Sequence, residues 1–247
     1  MAYQSVFKRY ELKYLLPRTQ KARILAAMAP YMTQDQYGKS TIRNIYFDTE
    51  SYRLVRHSIE KPVYKEKLRI RSYAQAKADT PVFVELKRKY NGMVYKRRLS
   101  MPEQQAMDWI TGDGGCPQDS QIGREIDYFL AFYRDLIPKV FLSYQREAYY
   151  AREDQTFRIT FDDHICARLH DLSLESEPDG VPLLPPDMVL MEIKCAGGMP
   201  LWLTQLLTQE QIYKTSFSKY GTAYQTLIFT KRKEGPTYAE PTVSRTL

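Results

Sequence analysis

Residues 65–71 read Lys-Glu-Lys-Leu-Arg-Ile-Arg. A β-strand sends successive side chains to opposite faces. Lys65, Lys67, Arg69 and Arg71 therefore form one row, and Glu66, Leu68 and Ile70 form the other. A sheet that aligns so many cations needs a polyanion between them, or water.

The same alternation recurs along the chain. A predicted strand over 6–16 places Arg9, Glu11 and Lys13 on one face. A hairpin is predicted over 82–90 and 93–99 around Asn91-Gly92, the strongest short hairpin signal present. One arm offers Glu85, Lys87 and Lys89, and the other Lys96 and Arg98. Strands over 139–150 and 157–162 offer Tyr144, Arg146, Arg158 and Asp162, and a strand over 188–195 offers Glu192 and Lys194. The opposite faces carry Leu12, Leu68, Ile70, Leu86, Ile159, Phe161, Met191 and Ile193. Arg88 and Arg97 depart from this rule.

Between these strands the sequence predicts a further strand over 41–47 and helices over 17–29, 51–57, 102–109, 120–136 and 200–213. A last helix runs to about residue 231. Pro17 suits a first helical turn, where its missing N–H is not needed. The polar, Pro-bearing stretch 233–247 is expected to be a disordered tail. This leaves a single domain over 1–232, with no internal repeat.

The 247 residues carry a net charge of +7. Such a field favours anionic partners without choosing among them, and a solvated basic face gives the same sign. Cys116, Cys166 and Cys195 are sparse and contain no CxxC pair, which disfavours a zinc site and suits a reducing compartment. The first residues lack a signal-peptide core, and no window reaches about 18 apolar residues. The expectation is a soluble, cytoplasmic protein.

One cationic strand alone reads as an ordinary antiparallel strand with its polar face in water. Repetition weakens that reading, because exposed faces mix Thr, Ser, Gln and both charges, and like charges directly opposite destabilise a sheet. If about eight such strands close into a barrel, the rows face a lumen. Unpaired charge cannot be left dry there. The lumen then holds water and an extended anion: a triphosphate, a nucleotide's triphosphate tail or polyphosphate. Glu11, Glu85 and Glu192 share the cationic faces. Ion pairing is their first reading, and ligation of Mg²⁺ or Mn²⁺ the second. Alternation on strands, with no helix-turn-helix or RNA-binding signature, argues against nucleic acid.

These residues resemble the VTC domain, the polyphosphate polymerase module of the vacuolar transporter chaperone, within the CYTH-like triphosphate tunnel metalloenzymes. The resemblance covers roughly Phe7 to Thr230. Its motifs occur in order: Arg9-Tyr10-Glu11-Leu12-Lys13-Tyr14, Ile45-Tyr46-Phe47-Asp48-Thr49, Lys67-Leu68-Arg69-Ile70-Arg71, Val82-Phe83-Val84-Glu85-Leu86-Lys87, Tyr144-Gln145-Arg146-Glu147-Ala148-Tyr149, Met191-Glu192-Ile193-Lys194 and Ser216-Phe217-Ser218-Lys219-Tyr220.

The resemblance implies an α+β fold: an antiparallel β-barrel forming a triphosphate tunnel, with flanking helices. It implies transfer of the ATP γ-phosphate to a growing polyphosphate chain. Lys13, Arg69, Arg71, Lys87 and Arg146 would be catalytic. Arg9, Lys67, Lys96, Arg98, Tyr144, Arg158, Lys194, Ser218 and Lys219 would bind phosphate. Glu192, with Glu85 and Glu11 behind it, would hold Mn²⁺ or Mg²⁺. The partners are ATP and polyphosphate, with membrane coupling left to other chains. Two positions depart from the pattern. Arg9 replaces the first acid of the general ExExK opening, and Ser216 stands where polymerases of this type carry a lysine. The competing readings are a metal-dependent triphosphatase and a non-catalytic module for polyphosphate or inositol phosphates.

Overall fold

The computed structural model describes residues 10–230. Arg9 and the predicted tail lie outside the described residues. The elements in chain order are β1 (Tyr10–Pro17), α1 (Arg18–Met28), β2 (Met32–Asp48), α2 (Arg53–Ile59), β3 (Tyr64–Ser72), β4 (Pro81–Tyr90), β5 (Met93–Pro102), α3 (Glu103–Thr111), α4 (Gln121–Tyr133), β6 (Ile137–Ala151), β7 (Arg158–Arg168), β8 (Val181–Pro182), β9 (Met188–Cys195), α5 (Leu201–Gln209) and α6 (Lys219–Tyr224). A π-helical turn over Gln225–Phe229 continues α6.

All nine strands join one antiparallel sheet in the order β1-β9-β7-β6-β2-β3-β4-β5, with β8 beside β7. The sheet curls until its ends meet. Lys87 of β4 reaches Glu11 of β1 at 2.7 Å. The ladder itself stays open at that seam, so the expected barrel is closed by side chains and by one crossing segment. Residues 214–218 run along β1: Tyr14 bridges Lys214, and Thr215 N–H donates to the Lys13 carbonyl at 2.7 Å. Ser218, at the end of this segment, accepts from Lys67 of β3 at 2.8 Å.

Two apolar layers cover the outside. Leu68, Ile70, Val84 and Leu86 pack with Trp109, Ile126 and Phe129 of α3 and α4. Leu16, Ile159, Phe161, Met191 and Ile193 pack with Ile24, Met28 and Leu203 of α1 and α5. Each fully buried Leu, Ile or Phe contributes about 1.5–3 kcal/mol, which fixes the register and turns the alternate cations inward.

A third apolar cluster lies on the inner face. Ile42, Tyr46, Leu142 and Leu190 pack around Tyr220, Ala223 and Tyr224 of α6, which plug that part of the lumen. Asp48 holds the plug in place. Its buried carboxylate accepts from the backbone of Thr49, Leu54 and Val55 and from the Tyr220 hydroxyl, all within 2.8–2.9 Å.

Several boundaries differ from the sequence reading. β2 begins at Met32 rather than 41, because residues 32–40 are polar and pair only with the end of β6 across a register shift. Gly38 sits there at φ +56°. The helix expected over 200–213 stops at Gln209, and Gln211 turns the chain at φ 54°. Asn91 and Gly92, at φ 44° and 82°, form the hairpin turn their identities predict.

Candidate functional site

Register builds the site. Across β3, β4 and β5, Glu85 stands directly opposite Arg69 on one side and Arg98 on the other. Glu85 is fully buried. One carboxylate oxygen accepts from Arg69 Nε and Nη2 at 2.9 and 2.7 Å. The other accepts from Lys96 Nζ and Arg98 Nε at 2.9 and 2.8 Å. Burial alone would raise this carboxyl, but Arg71, Arg69, Lys96 and Arg98 together hold it well below the usual range.

Arg71 turns from Glu85 to Asn44 Oδ1 and the Tyr144 hydroxyl, at 2.9 and 2.8 Å. Arg69 also donates to the Tyr46 hydroxyl at 2.8 Å, and Arg98 to the Tyr73 hydroxyl at 2.6 Å. Burial raises the Tyr73 phenol, yet Arg71 and Arg98 bring it down to about 8.

A second centre forms across β6, β7 and β9. Asp162 takes a bidentate grip from Arg146 at 2.6 and 2.7 Å, and Lys219 reaches it at 2.6 Å. Glu192 lies beside it, with Lys219, Lys194, Lys13 and Arg146 at 3.2, 3.3, 3.4 and 3.4 Å. These contacts are long for charge-assisted pairs, whose usual range is about 2.7–2.9 Å. Burial opposes ionisation of Glu192, and the four cations overcome it.

Lys67 joins the two centres. Its ammonium donates to Ser218 Oγ, and no carboxylate lies within 4.0 Å of it among the described residues. Burial, then Lys13, Lys87, Lys65 and Arg69, push it well below the ordinary lysine range. Ser218 also caps α6, accepting from Gly221 N–H at 3.1 Å.

The structure thus brings together Lys13, Lys67, Arg69, Arg71, Lys87, Lys96, Arg98, Tyr144, Arg146, Lys194, Ser218 and Lys219. Arg158 stands opposite Lys194 across β7 and β9 but is half-exposed, 3.7 Å from Asp35. Four residues that hold the cations carry no assigned role in the sequence analysis: Asn44, Tyr46, Tyr73 and Asp162. The alternation Ile42, Asn44, Tyr46, Asp48 carried a signal for the first two. Asp162 was visible on the cationic face, but only the fold places it against Arg146 and Lys219. A surface hollow of about 700 Å³ near Ala78, Gln104 and Trp109 lies outside this face and holds none of these groups.

The carboxylates differ in what they could give a divalent metal. Glu85 is a poor fit, because four cation contacts occupy its oxygens; it acts as a counter-ion. Glu11 is tied to Lys87 at 2.7 Å. Glu192 fits best, since its long contacts leave oxygen lone pairs loosely held. No three His, Cys, Asp or Glu side chains converge on a metal position among the described residues. A metal here would take Glu192, aided by the neighbouring Glu11, and complete its shell with phosphate oxygens and water, as Mg²⁺ commonly does.

The lysines predict a pH response. Lys96 is held at about 8, by burial first, against the pull of Glu85. An incoming phosphate favours the charged form of Lys96. Tripolyphosphate binding at pH 8 will therefore take up protons, and affinity will fall from pH 7 to 9. Calorimetry in buffers of different ionisation enthalpy reads this directly; proton release would contradict it.

A curled antiparallel sheet with cations lining its inner face is the architecture of triphosphate tunnel proteins. Residues 8–228 match the VTC domain, and the chain belongs to the VTC-domain family. Two solved structures share the fold. A candidate adenylate cyclase from Bacillus halodurans is 14% identical, with 91% of this chain and 100% of that one covered, at a TM-score of 0.55. A candidate adenylyl cyclase from Hippeastrum, described as having a dominant triphosphatase activity, is 17% identical over 88% and 95% of the two chains, at 0.52. No functionally curated protein matches the sequence. Among the described residues, no helix is long and apolar enough to cross a membrane.

Proposed function

We propose that the protein is an ATP-polyphosphate phosphotransferase that moves the γ-phosphate of ATP onto a phosphate chain inside the tunnel. The observation that carries this reading is Lys67: a part-buried ammonium, set among other cations, with no carboxylate beside it among the described residues. Such a charge is costly unless an anion joins it. Phosphoryl transfer needs charge neutralisation and in-line placement more than covalent help. Arg69, Arg71 and Arg146 supply forked donors for phosphate oxygens. Lys13, Lys67, Lys87 and Lys219 supply further charge, and Tyr144 and Ser218 supply hydroxyls. Mn²⁺ or Mg²⁺ at Glu192 would neutralise charge on the phosphates.

The Hippeastrum neighbour raises hydrolysis as a second reading, with water as the acceptor. Against it, the inner carboxylates make poor general bases. Glu11, Glu85, Asp162 and Glu192 are all held below their ordinary range despite burial. A phosphate acceptor is already anionic and needs no such base. The test is a gel assay with ATP, Mn²⁺ and a short polyphosphate primer. Growing chains support the transferase; phosphate release without growth would make the protein a triphosphatase.

A further inference from the structure

Charge along the lumen is not balanced evenly. Many inner cations have carboxylates: Arg69, Lys96 and Arg98 share Glu85, Lys87 meets Glu11, and Arg146 meets Asp162. Toward the start of β3 and the end of β4 the inner face carries lysines instead. Lys65 stands directly opposite Lys89 across the ladder, and Lys61 lies just before β3. Among the described residues, none of Lys61, Lys65 or Lys89 has a carboxylate within 4.0 Å. Lys65 Nζ rests on the Ser58 carbonyl at 3.0 Å. After burial, the charges acting most strongly on it are Lys89, Lys13 and Lys61. Like charges facing each other across strands are unfavourable, so this arrangement needs an anion from outside.

The type of cation changes as well. The centre around Glu85 is built mainly from arginine, whose rigid fork fixes a phosphate in one geometry. The cations at the other end, Lys61, Lys65 and Lys89, are all lysines. An ammonium is a point charge on a flexible stem, and it can pass from one phosphate oxygen to the next. A chain that advances by one unit per transfer needs sockets where the chemistry occurs and adaptable contacts where it slides.

We propose that Lys61, Lys65 and Lys89 form a track for linear polyphosphate beyond the units held by the arginines, and that the chain leaves the lumen by this end. The proposal rests on the phosphate-tunnel reading above and deepens it.

The test is equilibrium binding of long linear polyphosphate and of tripolyphosphate to the full chain and to a Lys61→Gln/Lys89→Gln variant. The expected result is a loss of about tenfold for the long chain and less than about twofold for tripolyphosphate. The salt dependence should become shallower for the long chain only. Adding Lys65→Gln should deepen the long-chain loss. Melting curves check that each variant folds. Equal losses for both ligands, or no loss for either, would overturn the track. Binding requires no turnover, so the two readings fail separately. A parent that elongates no primer refutes the transferase, whereas a double variant with unchanged length preference refutes the track.

Discussion

Lys67→Met will melt above the parent protein and transfer phosphate about 10²–10³-fold more slowly. Both effects come from one ammonium. In the free protein it stands among Lys13, Lys87, Lys65 and Arg69 and donates to Ser218. Replacing it by an apolar side chain of similar length removes like-charge repulsion and the cost of holding a charge away from water. That should stabilise the fold by about 1 kcal/mol, or about 2–4 °C at this chain length. Ser218 keeps its capping bond to Gly221, so the α6 plug stays seated. The activity loss is that of one preorganised donor to transition-state charge. Thermal melting and an initial-rate assay on the same preparation decide the matter. A variant that melts lower and transfers normally would make Lys67 a structural residue.

Glu85→Gln will have the opposite signature. Removing its charge leaves Arg69, Lys96 and Arg98 gathered around a neutral amide, with Arg71 at 3.9 Å. Breaking one partner of a buried ionic cluster costs about 3–5 kcal/mol. Tripolyphosphate should recover part of this loss, raising the variant's melting temperature more than the parent's, because the released cations can turn to the anion.

The pH dependence has a definite sign. The folded-state pKa of Glu85 is depressed, so its contribution is complete above the unfolded value of about 4.3 and is lost as pH falls through the folded value. The gap between parent and variant should therefore be constant near neutrality and narrow in acid. Equal stability of the two proteins at pH 7 would show that Glu85 is not the counter-ion the geometry implies.

The two predictions separate kinds of charge that look alike in the sequence. Lys67 and Lys96 occupy equivalent alternating positions in their strands. Register sets both of them directly opposite Lys87, and only the diagonal reach of Lys96 to Glu85, at 2.9 Å, tells them apart. Alternation showed which face each cation would take. It could not show which neighbour each would meet, since pairing depends on strands far apart in the chain. Arg146 shows the same limit. Its place on the cationic face was legible, but its grip on Asp162 follows from β6 lying beside β7 with a shift near Gln145.

The seam was the least legible feature. Residues 215–220 read as a loop, and nothing local indicates that this stretch starts beside β1 and carries Ser218 to Lys67. The early part of β2 was hidden for a different reason. Residues 32–40 bury little apolar surface, so hydrophobic periodicity had nothing to report.

By itself, the sequence determined the strands, the hairpin turn and the inward row of Lys and Arg, because period-two alternation and Asn-Gly chemistry act over a few residues. Tertiary structure alone decided which carboxylates are counter-ions, which one stays loosely held and which lysines meet no acid among the described residues. Those outcomes depend on distances of a few ångströms between side chains from strands far apart in the chain, and Coulomb energy in a buried site varies steeply over such distances.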